Sequence, residues 1–256
     1  MAAWPGFDGF EEVPFPGTAD TAWAGPYPDD LLGDVAAGAQ GPGARYTPRE
    51  SISLIFVSAL QHLPPRRRAA VVLCDVLGFS AAEAAEILGA GQDAVAAALA
   101  EARSVLAAQL PPGWRAQPPR PGSAREREVA RRFADAFERA DADGIAALLT
   151  DDAWLASPPL RGAGRGRAGR AGRGRAVAEA LSAESARHGP RRFRLVATRA
   201  NGQPAFGCYL GDPGASVARA HSLLLLTLDG GRVSGVTRFA DDGALGCFGL
   251  PPTLPC

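Results

Sequence analysis

The chain of 256 residues is 46% hydrophobic, enough for one large domain or two modest cores. Its formal charge is zero, with no Lys, but residues 1–46 carry seven acids against Arg45 alone, residues 47–111 five Arg against six acids, and residues 112–256 21 Arg against 14 acids. No apolar run approaches the ~18 residues that cross a bilayer, and Cys74, Cys208, Cys247 and Cys256 follow neither a metal-ligand nor a disulfide spacing; this predicts a cytoplasmic protein with no membrane partner.

Residues 1–46 are acidic and rich in Gly and Pro without periodicity, and are expected to be mostly disordered. Within them Trp23–Leu32, WAGPYPDDLL, has enough apolar side chains to dock as a short turn. Residues 47–110 read as four helices. The first begins at Thr47 and Pro48 and carries Ile52, Ile55, Phe56, Ala59, Leu60 and Leu63 before Pro64 and Pro65 end it. The second runs from about Arg66 to Leu77 and buries Ala69, Val72, Leu73 and Val76.

The next two helices form a tight pair over Gly78–Leu106. Ser80 can accept a free amide of the opening turn, and Glu83 three residues later completes a capping-box pattern. Ala84, Ile87 and Leu88 supply an apolar stripe, and Gly89 stands where a helix terminus favours a residue without a Cβ. From Gln92 on, Val95, Leu99, Ala102 and Leu106 recur every three to four residues, which buries one face and leaves the opposite one free to read a ligand. This is helix-turn-helix logic, in which the second helix enters the DNA major groove.

Residues 111–123, PPGWRAQPPRPGS, are a Pro-rich linker. Beyond it, Val129, Phe133, Ala136 and Phe137 line a helix over 124–140, and Ile145, Leu148 and Leu149 line a shorter one. A strand at Trp154–Ser157, a helix at Ala176–Glu184 and strands at 193–198, 205–210, 218–228 and 232–239 follow, with turns at Asp229-Gly230-Gly231 and Leu210–Gly214. Helices first and a curved antiparallel sheet afterwards predict an α+β domain over 124–250, with 251–256 as a tail.

HLPPRRRAAVVLCDVLGFSAAEAAEILG resembles region 4 of sigma-70 family RNA polymerase factors of the extracytoplasmic-function type, the part that reads the −35 promoter element. PYPDDLL looks like the linker after region 2 in a subgroup of those factors; the resemblance then implies that the chain opens in that linker, without the helices that bind polymerase and melt the −10 element. RFRLVATRANGQPAFGCYL, AHSLLLLTLDGGRVSGVTRF and FGLPPTLP resemble the SnoaL-like cone that the same subgroup carries at its C-terminus. The fold class expected is therefore an all-α helix-turn-helix bundle followed by a SnoaL-like α+β cone.

The resemblance implies promoter DNA and the RNA polymerase core as partners and makes Arg66, Arg67, Arg68, Ser80, Gln92, Asp93 and Arg103 candidates for DNA contact. Ala96, Ala97, Ala100 and Glu101 stand where related proteins usually show Asn, Ser, Gln and Arg. Alanine makes no bidentate base contact and glutamate repels phosphate. For the cone, Trp154, Arg199, Asn201, Tyr209, His221 and Arg238 are candidate pocket residues by their placement on strands and strand ends, for a small hydrophobic ligand. His221, Asp151 and Asp152 fit either an acid–base role or a structural one, so no catalytic residue is assigned. No triad, phosphate loop or metal constellation appears, and neither cofactor nor metal is expected.

Arg161–Arg175, RGAGRGRAGRAGRGR, holds six Arg among Gly and Ala where related proteins carry aromatic residues. It reads as a low-complexity loop able to touch nucleic acid or the acidic N-terminus, or as a repeat expansion at a tolerant site. The function expected is a sigma-factor-like transcription regulator whose cone modulates the helix-turn-helix; the alternative is a cofactor-free cyclase, isomerase, hydrolase or binder that uses the cone pocket.

Overall fold

A computed structural model describes residues 10–13, 26–31, 60, 63–109, 118–157, 167–171, 174–240 and 243–255. The helix expected from Thr47 lies almost wholly outside them. In the helical part, α1 (Pro65–Val71) starts on a proline and runs on into a wider π-helical turn, Val72–Val76. α2 (Ala81–Leu88) and α3 (Gln92–Gln109) complete the described bundle. Its interior is Leu63, Ala70, Val71, Ala84, Ala85, Val95, Leu99, Ala102 and Leu106. The stripe expected on α2 is corrected: Ala84 and Ala85 do the packing, whereas Ile87 and Leu88 are exposed. Two adjacent alanines let α2 lie close to its neighbours, and that rotates the larger side chains outward.

The second part is a sheet over three helices. α4 (Ala124–Glu138) is capped by Ser123, and α5 (Ala142–Leu148) by Asp141, whose carboxylate accepts from the Gly144 amide at 2.8 Å. β2 (Leu149–Ser157), α6 (Gly174–Arg187), β4 (Arg192–Ala200), β5 (Gln203–Gly211), β6 (Val217–Asp229) and β7 (Arg232–Phe239) follow the expected order. Val129, Phe133 and Phe137 of α4 and Val177 and Leu181 of α6 pack on the inner sheet face, against Phe193, Phe206, Leu224, Leu226 and Val236. Asn201-Gly202 turns β4 into β5 with φ of 54° and 73°, which matches a two-residue hairpin.

Three features go beyond the sequence reading. The sheet is mixed, because β2 pairs parallel with β7; α6 and two hairpins separate these strands, so no tight turn constrains their direction. β3 (Arg167–Ala171), inside the segment read as a loop, pairs with β2 on one side and with β1 (Phe10–Val13) on the other. β8 (Thr253–Pro255), in the segment read as a tail, pairs with Val217–Arg219 of β6. The strand order is β1-β3-β2-β7-β6-β5-β4. Leu245, Phe248, Leu250 and Leu254 cover the outer face over Ala205, Tyr209, Leu223, Leu225 and Phe239.

Candidate functional site

The helix-turn-helix is built as its local sequence demands. Ser80 accepts the Glu83 amide at 3.2 Å while Glu83 Oε2 accepts the Ser80 amide at 2.9 Å, so two open donors of the first turn are met reciprocally. Gly89 ends α2 at φ 58°, where a Cβ would be strained. α3 then presents Asp93, Ala96, Ala97, Ala100, Glu101 and Arg103 to solvent opposite its buried stripe.

The candidate DNA contacts divide into two sets. Arg66, Gln92 and Asp93 are exposed, the last two on the opening turn of α3, the end of a recognition helix that reaches base edges. The others are engaged within the bundle. Arg67 pairs with Glu101, Arg68 donates to the Leu63 carbonyl at 3.0 Å, and Ser80 is the cap. Arg103 grips Asp75 through Nε at 3.1 Å and Nη2 at 2.5 Å, which raises its pKa. These ion pairs tie α1 and the π-turn to α3, so two of the cations expected to meet DNA hold helices together instead.

Trp154 is not a pocket residue, which corrects the expectation. Strand alternation sends Ala153 and Leu155 into the cone, whereas Trp154 and Ala156 point the other way and join the interior of the helical bundle. The indole lies over Gly235, its partner in the β2–β7 register, and any Cβ there would overlap the ring. The ring is 4% exposed, and its Nε1 has no hydrogen-bond partner among the described residues.

Tyr209 also leaves the pocket set: it lies under the C-terminal segment and donates to the Pro251 carbonyl at 2.7 Å. Arg199 and Asn201 mark the β4–β5 end of the sheet. There Arg199 binds Asp29 at 2.9 Å and also the buried Glu126, Asp29 accepts the Gly202 amide at 2.7 Å, and Asn201 Oδ1 accepts the Tyr27 amide at 3.1 Å. Of the WAGPYPDDLL segment expected to dock, the described residues 26–31 meet that turn through Tyr27 and Asp29.

Only His221 and Arg238 of the six come together, and with them two residues the sequence reading missed. Arg238 and Glu184 are both buried and pair at 3.0 Å; Glu184 also pairs with Arg187, and its Oε1 lies 3.4 Å from His188 Nε2. His188, His221 and Phe193 form an edge-to-face trio with centroids 5.1–5.4 Å apart. Burial, then Arg238, Arg187 and Arg191, lowers the pKa of His188, and burial pushes the nearby Cys208 thiol up to about 12. The ligand atoms of Glu184, His188 and His221 lie within 4.8 Å of one another, a spacing a metal ion could span. Two guanidiniums beside one carboxylate nevertheless make the cluster positive, the wrong sign for a divalent cation. The i, i+4 spacing of Glu184 on α6 and His188 just past its end was the available signal; a distant Arg on β7 gave it meaning.

Residues 53–106 match the family model described as sigma-70, region 4. The helical part is similar to sigma-70 region 4 over those residues. The chain is 34% identical over 237 residues to the ECF RNA polymerase sigma factor SigG of Mycobacterium tuberculosis strain CDC 1551, and equally to that of strain H37Rv, covering 92% of this chain. It spans 60% of the length of those relatives. Among solved structures, the extracytoplasmic function sigma factor SigJ of M. tuberculosis shares its fold at TM-score 0.54 and 21% identity, covering 93% of this chain and 78% of that one. A solved chain thus shares the fold of both parts together, and Trp154 is a point where the two parts meet here.

Proposed function

We propose that the chain is a sigma-factor-like transcription regulator in which the region 4 domain meets the −35 promoter duplex and the RNA polymerase core in the cytoplasm, with its presentation set by the cone. The observation that carries this reading is Trp154: the region 4 interior includes a side chain from the cone, so any shift of β2 is felt by the helix pair. Gln92 and Asp93 on the opening turn of α3 are the base-reading positions, and Arg66 is an exposed cation of the same candidate set. The alternative, a cone enzyme of the cyclase, isomerase or hydrolase type, is less well supported, because the buried carboxylate of Glu184 is already paired with Arg187 and Arg238. Among the described residues no helix is long and apolar enough to cross a membrane.

The test is binding of fluorescent duplexes bearing either a −35 element or the same bases scrambled. Preference for the −35 duplex by about tenfold or more, lost in Gln92→Ala, is expected, since one good side-chain–base pair contributes about 1–3 kcal/mol of discrimination. Equal affinity for the two duplexes would overturn the reading.

A further inference from the structure

Where β4 begins and β5 ends, the cone carries a cleft of ≈ 500 Å³. It is lined by Pro190, by Arg192 and Arg194 of β4, and by residues 211–215, which lead from β5 to β6. The sheet register places both arginines on one face. Arg192 stands opposite Gly211 and Arg194 opposite Tyr209. Tyr209 packs on the outer face with Leu245 and with Val196, the next residue in the 192, 194, 196 alternation. The two arginines therefore project side by side from backbone positions about 7 Å apart along the strand. Gly211 puts no side chain across the ladder from Arg192, which leaves the space between strand and loop open.

The charge of the cleft is unbalanced. Asp212 is the one carboxylate among the lining residues, and Arg191 Nε already donates to it at 2.5 Å. Arg194 donates through Nη1 to the Pro255 carbonyl at 2.9 Å, a neutral acceptor that fixes the side chain without cancelling its charge. Arg192 is exposed and has no acidic partner among the described residues. Three guanidiniums against one carboxylate leave the cleft with an excess of two positive charges.

We infer that this cleft binds a small organic phosphate, held by Arg192 and Arg194 with the body of the molecule against Pro190 and Pro213. A guanidinium presents paired donors that match two phosphate oxygens, so two of them on one face can clamp a single dianionic group. The volume falls within the range of about 300–1,000 Å³ typical of small-molecule sites. Proline fixes its own φ, so both apolar walls are stiff. The Pro213-Gly214 turn, closed by the Ala215 amide donating to the Asp212 carbonyl at 3.1 Å, makes the cleft concave. That shape suits a molecule lying between two walls better than a duplex backbone running across a surface. The inference is independent of promoter reading by α3.

The experiment is calorimetric titration of the full chain with ADP as the probe, beside adenosine and inorganic phosphate. ADP is expected to bind, inorganic phosphate to bind more weakly, and adenosine not to bind. Arg192→Gln should weaken ADP binding by about tenfold, the scale of one hydrogen bond to a charged group, and leave the melting temperature unchanged. Arg192→Lys should recover part of the loss, because an ammonium keeps the charge without the fork. Asp212→Asn should tighten binding by removing the competing carboxylate and freeing Arg191. Arg132→Gln, an exposed change on α4, should leave ADP affinity as it is. No binding of ADP, equal binding of adenosine or of inorganic phosphate, or unchanged affinity in Arg192→Gln overturns the inference. So does an equal loss of affinity for the scrambled duplex in Arg192→Gln, which would make nucleic-acid phosphate the ligand.

Discussion

The two halves of this protein handle charge in opposite ways. In the helix-turn-helix part the arginines brace the helices: Arg67 and Arg103 tie α1 and the π-turn to α3, and the outward face of α3 is largely alanine. In the cone, cations gather around a buried carboxylate at Glu184 and run along β3. The difference teaches that a helix pair can keep its geometry with its arginines engaged in bracing, while other cations gather in the neighbouring part of the chain. Among the described residues the halves meet by packing, through an indole against helices.

The largest expected effect comes from breaking that joint. Trp154→Ala leaves a cavity between Gly235 and the bundle, and truncating a buried Trp costs about 3–5 kcal/mol. Calorimetry should show one transition splitting into two as the domains uncouple; a single unshifted transition would mean that the indole joins nothing. A smaller effect, confined to one side of the comparison, is expected from Ser80→Ala, which removes the α2 cap at about 1 kcal/mol. Hydrogen exchange should then quicken in α2 and α3 and stay unchanged in β5 and β6.

The smallest effect belongs to the cone and depends on pH. Burial, then Arg238, Arg187 and Arg191, lowers the pKa of His188, so in the folded protein it lies below its unfolded value. The associated stability is present above the unfolded value of about 6.5 and is lost as pH falls through the folded one. Melting temperatures taken through this acidic range should fall less in His188→Gln than in the parent, while the cooperative loss from Ser80→Ala should not vary with pH there. Parallel acid limbs for parent and His188→Gln would show that this ring does not carry the effect.

The chain itself declared most of its elements. Ser80 and Glu83, Gly89 and the Val95–Leu106 stripe specify the helix pair through contacts no more than four residues apart, and such contacts are legible along the sequence. The cone strands were legible by alternation, with Asp229-Gly230-Gly231 marking a hairpin. The candidate sites were less legible. Of the pocket set, His221 and Arg238 converge; Trp154 and Tyr209 lie on other faces, and Arg199 and Asn201 hold the segment around Asp29. Placement on a strand says that a residue points to one of two sides, but not what covers either side.

What the sequence alone determined is whatever depends on local backbone chemistry: caps, left-handed turns, helical and strand periods, and the gradient of charge from head to tail. The tertiary structure alone decided the parallel β2–β7 pair, the outward turn of Trp154, the meeting of Glu184 with Arg238, and the seat of Tyr27 on Asn201, 174 residues away. The physical reason is range. A capping hydroxyl meets its amide wherever the chain bends, whereas a buried ion pair or a shared indole exists only after distant strands have fixed their order, and that order is settled by packing summed over the whole sheet.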